Sequence, residues 1–131
     1  MEAVVERKEG YLQITNTKDR HELGEVVEGI NKIRDAALAH DLRYVLADHR
    51  RVHYHLPLND AFNLVKVFEY NLPDLKEVTM AVVTNEANLE IARFWESICK
   101  RRGYRMRIFL LVEEARDWLQ KEMKRARVKN S

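Results

Sequence analysis

The chain has 131 residues, one cysteine and a formal net charge of +2, enough length to build a core of its own. A single cysteine permits neither an internal disulfide nor a four-cysteine zinc site, and so small a charge does not by itself call for nucleic acid. No apolar run approaches the roughly 18 residues needed to cross a bilayer, and the charged N-terminus MEAVVERKEGYLQI lacks the apolar stretch of a secretory leader. A cytoplasmic protein is therefore expected, without integral membrane association.

Val4 to Lys8 and Tyr11 to Thr15 are strand-type runs around Glu9-Gly10, which predicts a hairpin. Asp19-Arg20-His21-Glu22 has the form of a capping box, with Asp19 accepting from open amides and Glu22 reaching back. The helix after it places Leu23, Val26, Val27, Ile30, Ile33 and Ala37 on one stripe. Gly24 and Gly29 each weaken that helix by about 1 kcal/mol relative to alanine, so packing must hold it.

Tyr44-Val45-Leu46-Ala47 lacks alternation, as a strand covered on both faces does. Leu58 to Leu72 predicts a second helix with Leu58, Ala61, Leu64, Val65 and Phe68 inward, stopped by the proline after Leu72. Val78 to Val83 is another buried strand. Ile91, Phe94, Trp95, Ile98 and Cys99 follow at helical spacing, with Gly103 placed for a left-handed cap. Tyr104 to Leu110 is the last strand, and Glu113 to about Arg125 the last helix, with Ala115, Trp118, Leu119 and Met123 inward. Strands and helices take turns after the opening hairpin, which predicts a mostly parallel mixed sheet with right-handed crossovers and four helices.

The stretch IARFWESICKRRGYRMRIF followed by EEARDWL resembles the C-terminal half of the SpoIIAA-like group of STAS/SEC14 domains. Ala92, Phe94, Trp95, Glu96, Arg102, Gly103, Tyr104, Arg107, Ile108, Phe109, Glu113, Glu114, Ala115, Trp118 and Leu119 carry the likeness; YLQIT, YVLADHR and TMAVVTNE extend it loosely across the chain. The resemblance implies a single STAS-like α/β domain over 1–131, with about 120–131 as a basic tail. It also implies a non-enzymatic binding or regulatory module, or, on the SEC14 side, a carrier of a small apolar ligand between the second helix and the sheet. Two departures stand out. Phosphorylated STAS antagonists present a serine at the helix after the second buried strand, whereas no serine or threonine lies between Asp48 and Phe62 here. Members also begin the last helix with an aspartate, where this chain has Leu110-Leu111-Val112.

Three segments should meet beyond the carboxyl ends of the strands: Asp48 to Leu58, Thr84 to Asn88 and Leu110 to Glu113. The first contains HRRVHYH, three of the five histidines. His53 and His55, two residues apart, offer metal ligands with His49 or Asp48 completing a set, but no HExxH-type spacing supports one, and no metal or cofactor is expected. A pH-sensing reading has Arg50 and Arg51 lowering a histidine pKa, and the plainer reading is a solvated basic loop. An acid–base reading would enlist Asp48, His53 and Asp60, yet there is no nucleophile elbow and no glycine-rich phosphate loop, and no catalytic residue is assigned. Cys99 falls on an apolar stripe and reads as an inert core thiol.

Arg101, Arg102, Arg105 and Arg107 read as ordinary strand and helix-end charges, without nucleic acid as a partner; the basic residues from Lys121 onward complement a helix dipole. Phe62, Val67 and Tyr70 lie off the inward stripe of the second helix, which suggests a protein partner or homodimer there. The candidate binding residues are thus Asp48, Arg50, His53, His55, Leu58, Phe62 and Asn85.

Overall fold

The computed structural model describes residues 3–129; Met1, Glu2, Asn130 and Ser131, the last two part of the expected basic tail, lie outside it. The hairpin forms from β1 (Ala3–Arg7) and β2 (Leu12–Asn16), paired antiparallel with Ala3 opposite Asn16 and Arg7 opposite Leu12. Three parallel strands follow: β3 (Tyr44–Asp48), β4 (Thr79–Val83) and β5 (Arg105–Phe109). The sheet order is β1-β2-β3-β4-β5, each strand beside its sequence neighbour.

That order decides the layers. Right-handed crossovers that always step the same way must all pass over the same face. So α1 (Leu23–Ala39), α2 (Asp60–Asn71) and α3 (Leu89–Arg101) share one side. There Leu12, Ile14, Val45, Ala47, Met80, Val82 and Ile108 of the strands meet Ile30, Ile33, Val65 and Phe68 of the helices. Phe68 lies edge-on between Trp95 and Tyr104, with ring centroids 6.1 and 5.8 Å away. α4 (Val112–Lys129) alone covers the other face, where Ala115 and Leu119 pack on Leu46, Ala81, Val83 and Phe109. β4, sandwiched between both layers, is buried at every residue, whereas edge strand β5 exposes Arg105 and Arg107 and buries Met106 and Ile108.

Element order and types match the sequence reading, with four corrections. Asp19 does not cap α1. The N-cap is Glu22, and Glu25 Oε1 accepts from the amides of His21 and Glu22 at 2.7 and 3.1 Å. α2 begins two residues later than predicted, so Leu58 stands in a loop at 41% exposure instead of facing the core. Phe94 is exposed too, because α3 turns its buried stripe through Ala92, Ile98 and Cys99. Finally, the basic segment from Gln120 to Lys129 continues α4 rather than leaving it as a tail. Among the described residues no helix is long and apolar enough to cross a membrane.

Two helices end in the same way. After α3, Gly103 takes φ +87°, and the Tyr104 amide donates to Cys99 O at 2.9 Å. This is the Schellman closure that a left-handed glycine permits. After α1 the Leu42 amide donates to Ala37 O at 2.9 Å, but the left-handed position is Asp41, at φ +53°. A β-carbon there strains the backbone. Asp41→Gly should therefore stabilise the protein by about 0.5 kcal/mol, the relief of strain exceeding glycine's greater loss of chain entropy. Urea unfolding of the two proteins measures it, and a less stable variant would contradict this account.

Candidate functional site

In doubly wound sheets a ligand crevice opens where the strand order reverses. Here β2 to β5 never reverse, so that crevice has no counterpart. The carboxyl ends of the strands are instead crossed by the chain's own loop, residues 49–59. The His49 amide donates to Val83 O at 2.8 Å, extending the ladder one step past β3. Val52 is then fully buried beneath the loop.

Two asparagines from the loop after β4 hold this covering segment. Asn85 Nδ2 donates to the carbonyls of Arg50 and Val52 at 2.9 and 3.1 Å. Asn88, buried, donates through Nδ2 to Val52 O at 2.7 Å and Thr84 Oγ1 at 3.1 Å, and its Oδ1 accepts from the Tyr54 amide at 3.1 Å. A primary amide is the side chain that meets carbonyls and an amide at once, which is why asparagine serves here.

Beneath the loop lies His49, which the structure separates from the other histidines. Its ring is buried between Asn16 Nδ2, 3.0 Å from Nε2, and the Tyr54 hydroxyl, 2.6 Å from Nδ1. With Asn16 donating to Nε2, the ring's one proton sits on Nδ1 and is donated to Tyr54 Oη. A second proton at Nε2 would face a donor. Burial first, and then the nearby Arg20 guanidinium, lower the His49 pKa to about 4, while Asp48 opposes them weakly. The sequence reading credited Arg50 and Arg51 with lowering a histidine pKa; the causes are instead desolvation and Arg20. Burial likewise raises the Tyr54 phenol.

Asp48 and Arg50 form a closed pair. Arg50 Nε and Nη2 donate to the two carboxylate oxygens at 3.0 and 2.8 Å, and the Arg50 amide adds a third bond at 3.2 Å. Burial pushes the Asp48 carboxyl up, but the Arg50 hydrogen bonds outweigh it and hold it below its ordinary value. Gln13, Thr15, Asn16 and Arg51 join this pair around an open cleft of about 510 Å³, on the part of the sheet that α4 leaves uncovered.

The outer end of the loop is stitched to residues 19–21. The Arg20 amide donates to His53 O at 2.9 Å and the His55 amide to Arg20 O at 2.8 Å, a one-residue parallel bridge of Arg20 with Tyr54. Arg20 turns inward at 6% exposure and lies against α1. A β-carbon on Gly29 would stand 3.0 Å from Arg20 Nη2, which gives this helical glycine its reason. Asp19 turns outward and accepts from the His53 amide at 3.0 Å and faces His55 Nε2 at 3.2 Å, contacts that hold its carboxyl below the ordinary range.

Of the residues read from the sequence, Asp48, Arg50 and Asn85 therefore belong to the locked rim, and His53 and His55 to the outer stitch. Leu58 and Phe62 lie exposed nearby, at 41% and 38%, with the Lys66 ammonium 4.5 Å from the Phe62 ring centre. The acid–base trio of Asp48, His53 and Asp60 is not assembled: Asp48 is held by Arg50 and His53 by Asp19. Cys99 is buried, and burial raises its thiol pKa to about 12. Sequence reasoning missed Asn16, Arg20, Tyr54 and Asn88, which show no periodicity or motif; Asn88, three residues after Asn85 in a loop, was the one visible hint.

An apolar cavity of about 50 Å³ lies between the three helices and the sheet, lined by Leu23, Ile30, Leu64, Met80 and Trp95, with Arg20, His49 and Tyr54 also on its wall.

No family model matches this chain, and no curated protein matches it. Among solved structures it is similar to an uncharacterized protein of the DUF3478 family from Shewanella loihica PV-4, described as having a SpoIIAA-like fold. The two share 21% identity with a TM-score of 0.54, over 89% of this chain and 91% of the other. The fold of this chain is thus SpoIIAA-like, as the resemblance implied.

Two outcomes follow from the buried network. Because His49 titrates near 4 when folded and near 6.5 when unfolded, its contribution is complete above pH 6.5 and is lost as pH falls toward 4. The loss should total about 3 kcal/mol, read by urea unfolding between pH 7 and 4. A His49→Gln variant should flatten that slope; an unchanged slope would reassign it. Asn88→Ala should cost about 3 kcal/mol, since it strands buried carbonyl and amide groups together, and a loss below about 1 kcal/mol would show the loop held by other means.

Proposed function

We propose that this SpoIIAA-like module works by binding, not by catalysis, and that it meets a protein partner or a second copy of itself through the loop 48–59 and the outer face of α2. The observation that carries this reading is where the chemistry is spent. Asn16, Asp48, His49, Arg50, Asn85 and Asn88 are engaged with one another or with the loop backbone, so the rim's polar groups serve architecture. Beside them Leu58 and Phe62 are exposed, and Tyr70, at 88%, is exposed at the other end of α2. Neighbouring exposed apolar side chains such as Leu58 and Phe62 mark contact surfaces. The loop has no serine or threonine, and its Tyr54 hydroxyl is tied to His49, so phosphorylation of a hydroxyl in this loop has no accessible acceptor.

The carrier reading places an apolar ligand where the cavity between the helices and the sheet lies. At about 50 Å³ that cavity has room for a few water molecules. Small-molecule pockets begin at roughly 300 Å³, so a lipid would have to displace α2. The binding-module reading needs no such movement.

Sedimentation equilibrium of the wild-type chain at sub-millimolar concentration is expected to show a self-associating species that Phe62→Glu, Tyr70→Glu converts to monomer. A protein that stays monomeric throughout, and whose melting temperature climbs by several degrees with fatty acid, would overturn this reading in favour of the carrier.

A further inference from the structure

The stitch between residues 19–21 and 53–55 has two faces. In extended chain, residues two apart point the same way. Arg20 and Tyr54, the bridged pair, turn toward the interior, so Asp19, His21, His53 and His55 all stand on the outer face. Ligand-type atoms of Asp19, His21 and His55 lie within 4.8 Å of one another. The His21 and His55 rings are stacked, 4.5 Å between centroids and 4° from parallel. His53 Nδ1 stands 3.6 Å from Asp19 Oδ1, and the His53 and His55 ring centroids are 6.3 Å apart.

We propose that Asp19, His21 and His55, with His53 as a fourth donor, form a binding site for a divalent transition-metal ion of the zinc class. Imidazole nitrogens with one carboxylate suit zinc, and they suit calcium or magnesium poorly, since those ions take oxygen. Zinc holds nitrogen and oxygen ligands at about 2.0–2.2 Å, so the donors must close by an ångström or so. The exposed side chains can do this by rotation, while the backbone bonds at Arg20, His53 and His55 keep the two segments in register. None of these residues takes part in the buried His49 network, so binding here leaves the rim intact. Of the set weighed from the sequence, His53 and His55 remain in this proposal; His49 and Asp48 are engaged elsewhere, and Asp19 and His21 come instead from a segment 34 residues earlier in the chain.

This inference stands apart from the contact surface on α2, and either can fail alone. The test is calorimetric titration of zinc chloride into the full chain, freed of any histidine tag, with magnesium and calcium chloride as controls. One zinc ion per chain is expected, with no heat from the controls. His21→Ala is the informative variant, because its ring contact is the His55 stack and its loss spares every hydrogen bond of the stitch. It should weaken zinc at least about tenfold, the scale on which metal sites respond to lost partners. His55→Ala should do the same, and His40→Ala, at the end of α1, should not. Zinc should also raise the melting temperature of the wild type more than that of His21→Ala. Absence of binding at 100-micromolar zinc, or binding that His21→Ala leaves unchanged, would leave Asp19 and His55 a surface ion pair and overturn the proposal.

Discussion

The molecule depends on a constraint of handedness. Four parallel strands laid down in one direction, each crossover right-handed, send α1, α2 and α3 to a single face and leave the carboxyl ends of the strands without a crevice between opposed helices. The open rim must be closed, because Ala47 and Val83, near the ends of β3 and β4, are apolar and fully buried. A loop closes it, and a loop brings unpaired carbonyls and amides with it. Asn85 and Asn88 exist in that role: their amide groups meet the loop backbone where no strand can.

Closure has an electrostatic consequence. Once the loop lies over the rim, His49 is out of water, beside a buried arginine and between a donor amide and a phenol. A charged imidazole does not fit there. The residue that resembles a pH sensor in sequence is instead held neutral, and the pair Asp48 and Arg50 is closed by three hydrogen bonds. Reactive-looking side chains are thus consumed by folding, and outside the loop stand the exposed Phe62 and Tyr70 of α2 and the outward face of the stitch.

That stitch explains how one segment serves two purposes. Alternation along extended chain sends Arg20 and Tyr54 inward and their neighbours outward, so the bonds that fix the loop also align Asp19, His21, His53 and His55. Gly29 is part of the same arrangement, since the helix must come close for Arg20 to lie flat against it.

Periodicity alone determined the elements of this protein, because apolar stripes and runs respond to a buried face that is local to each segment. The hairpin, the strands, the four helices and the Gly103 cap were legible in the sequence. Only the tertiary structure decided which histidine is enclosed, that Asp19 serves the loop and not the helix, that Leu58 and Phe94 face outward, and that Arg20 pairs with Tyr54. The enclosure of His49 and the roles of Asp19 and Arg20 rest on contacts between residues about 34 apart, such as Asp19 with His53 and Asn16 with His49. Hydrogen bonds of that span leave no repeat in the chain, since a single asparagine or aspartate is chosen by the geometry of its distant partner.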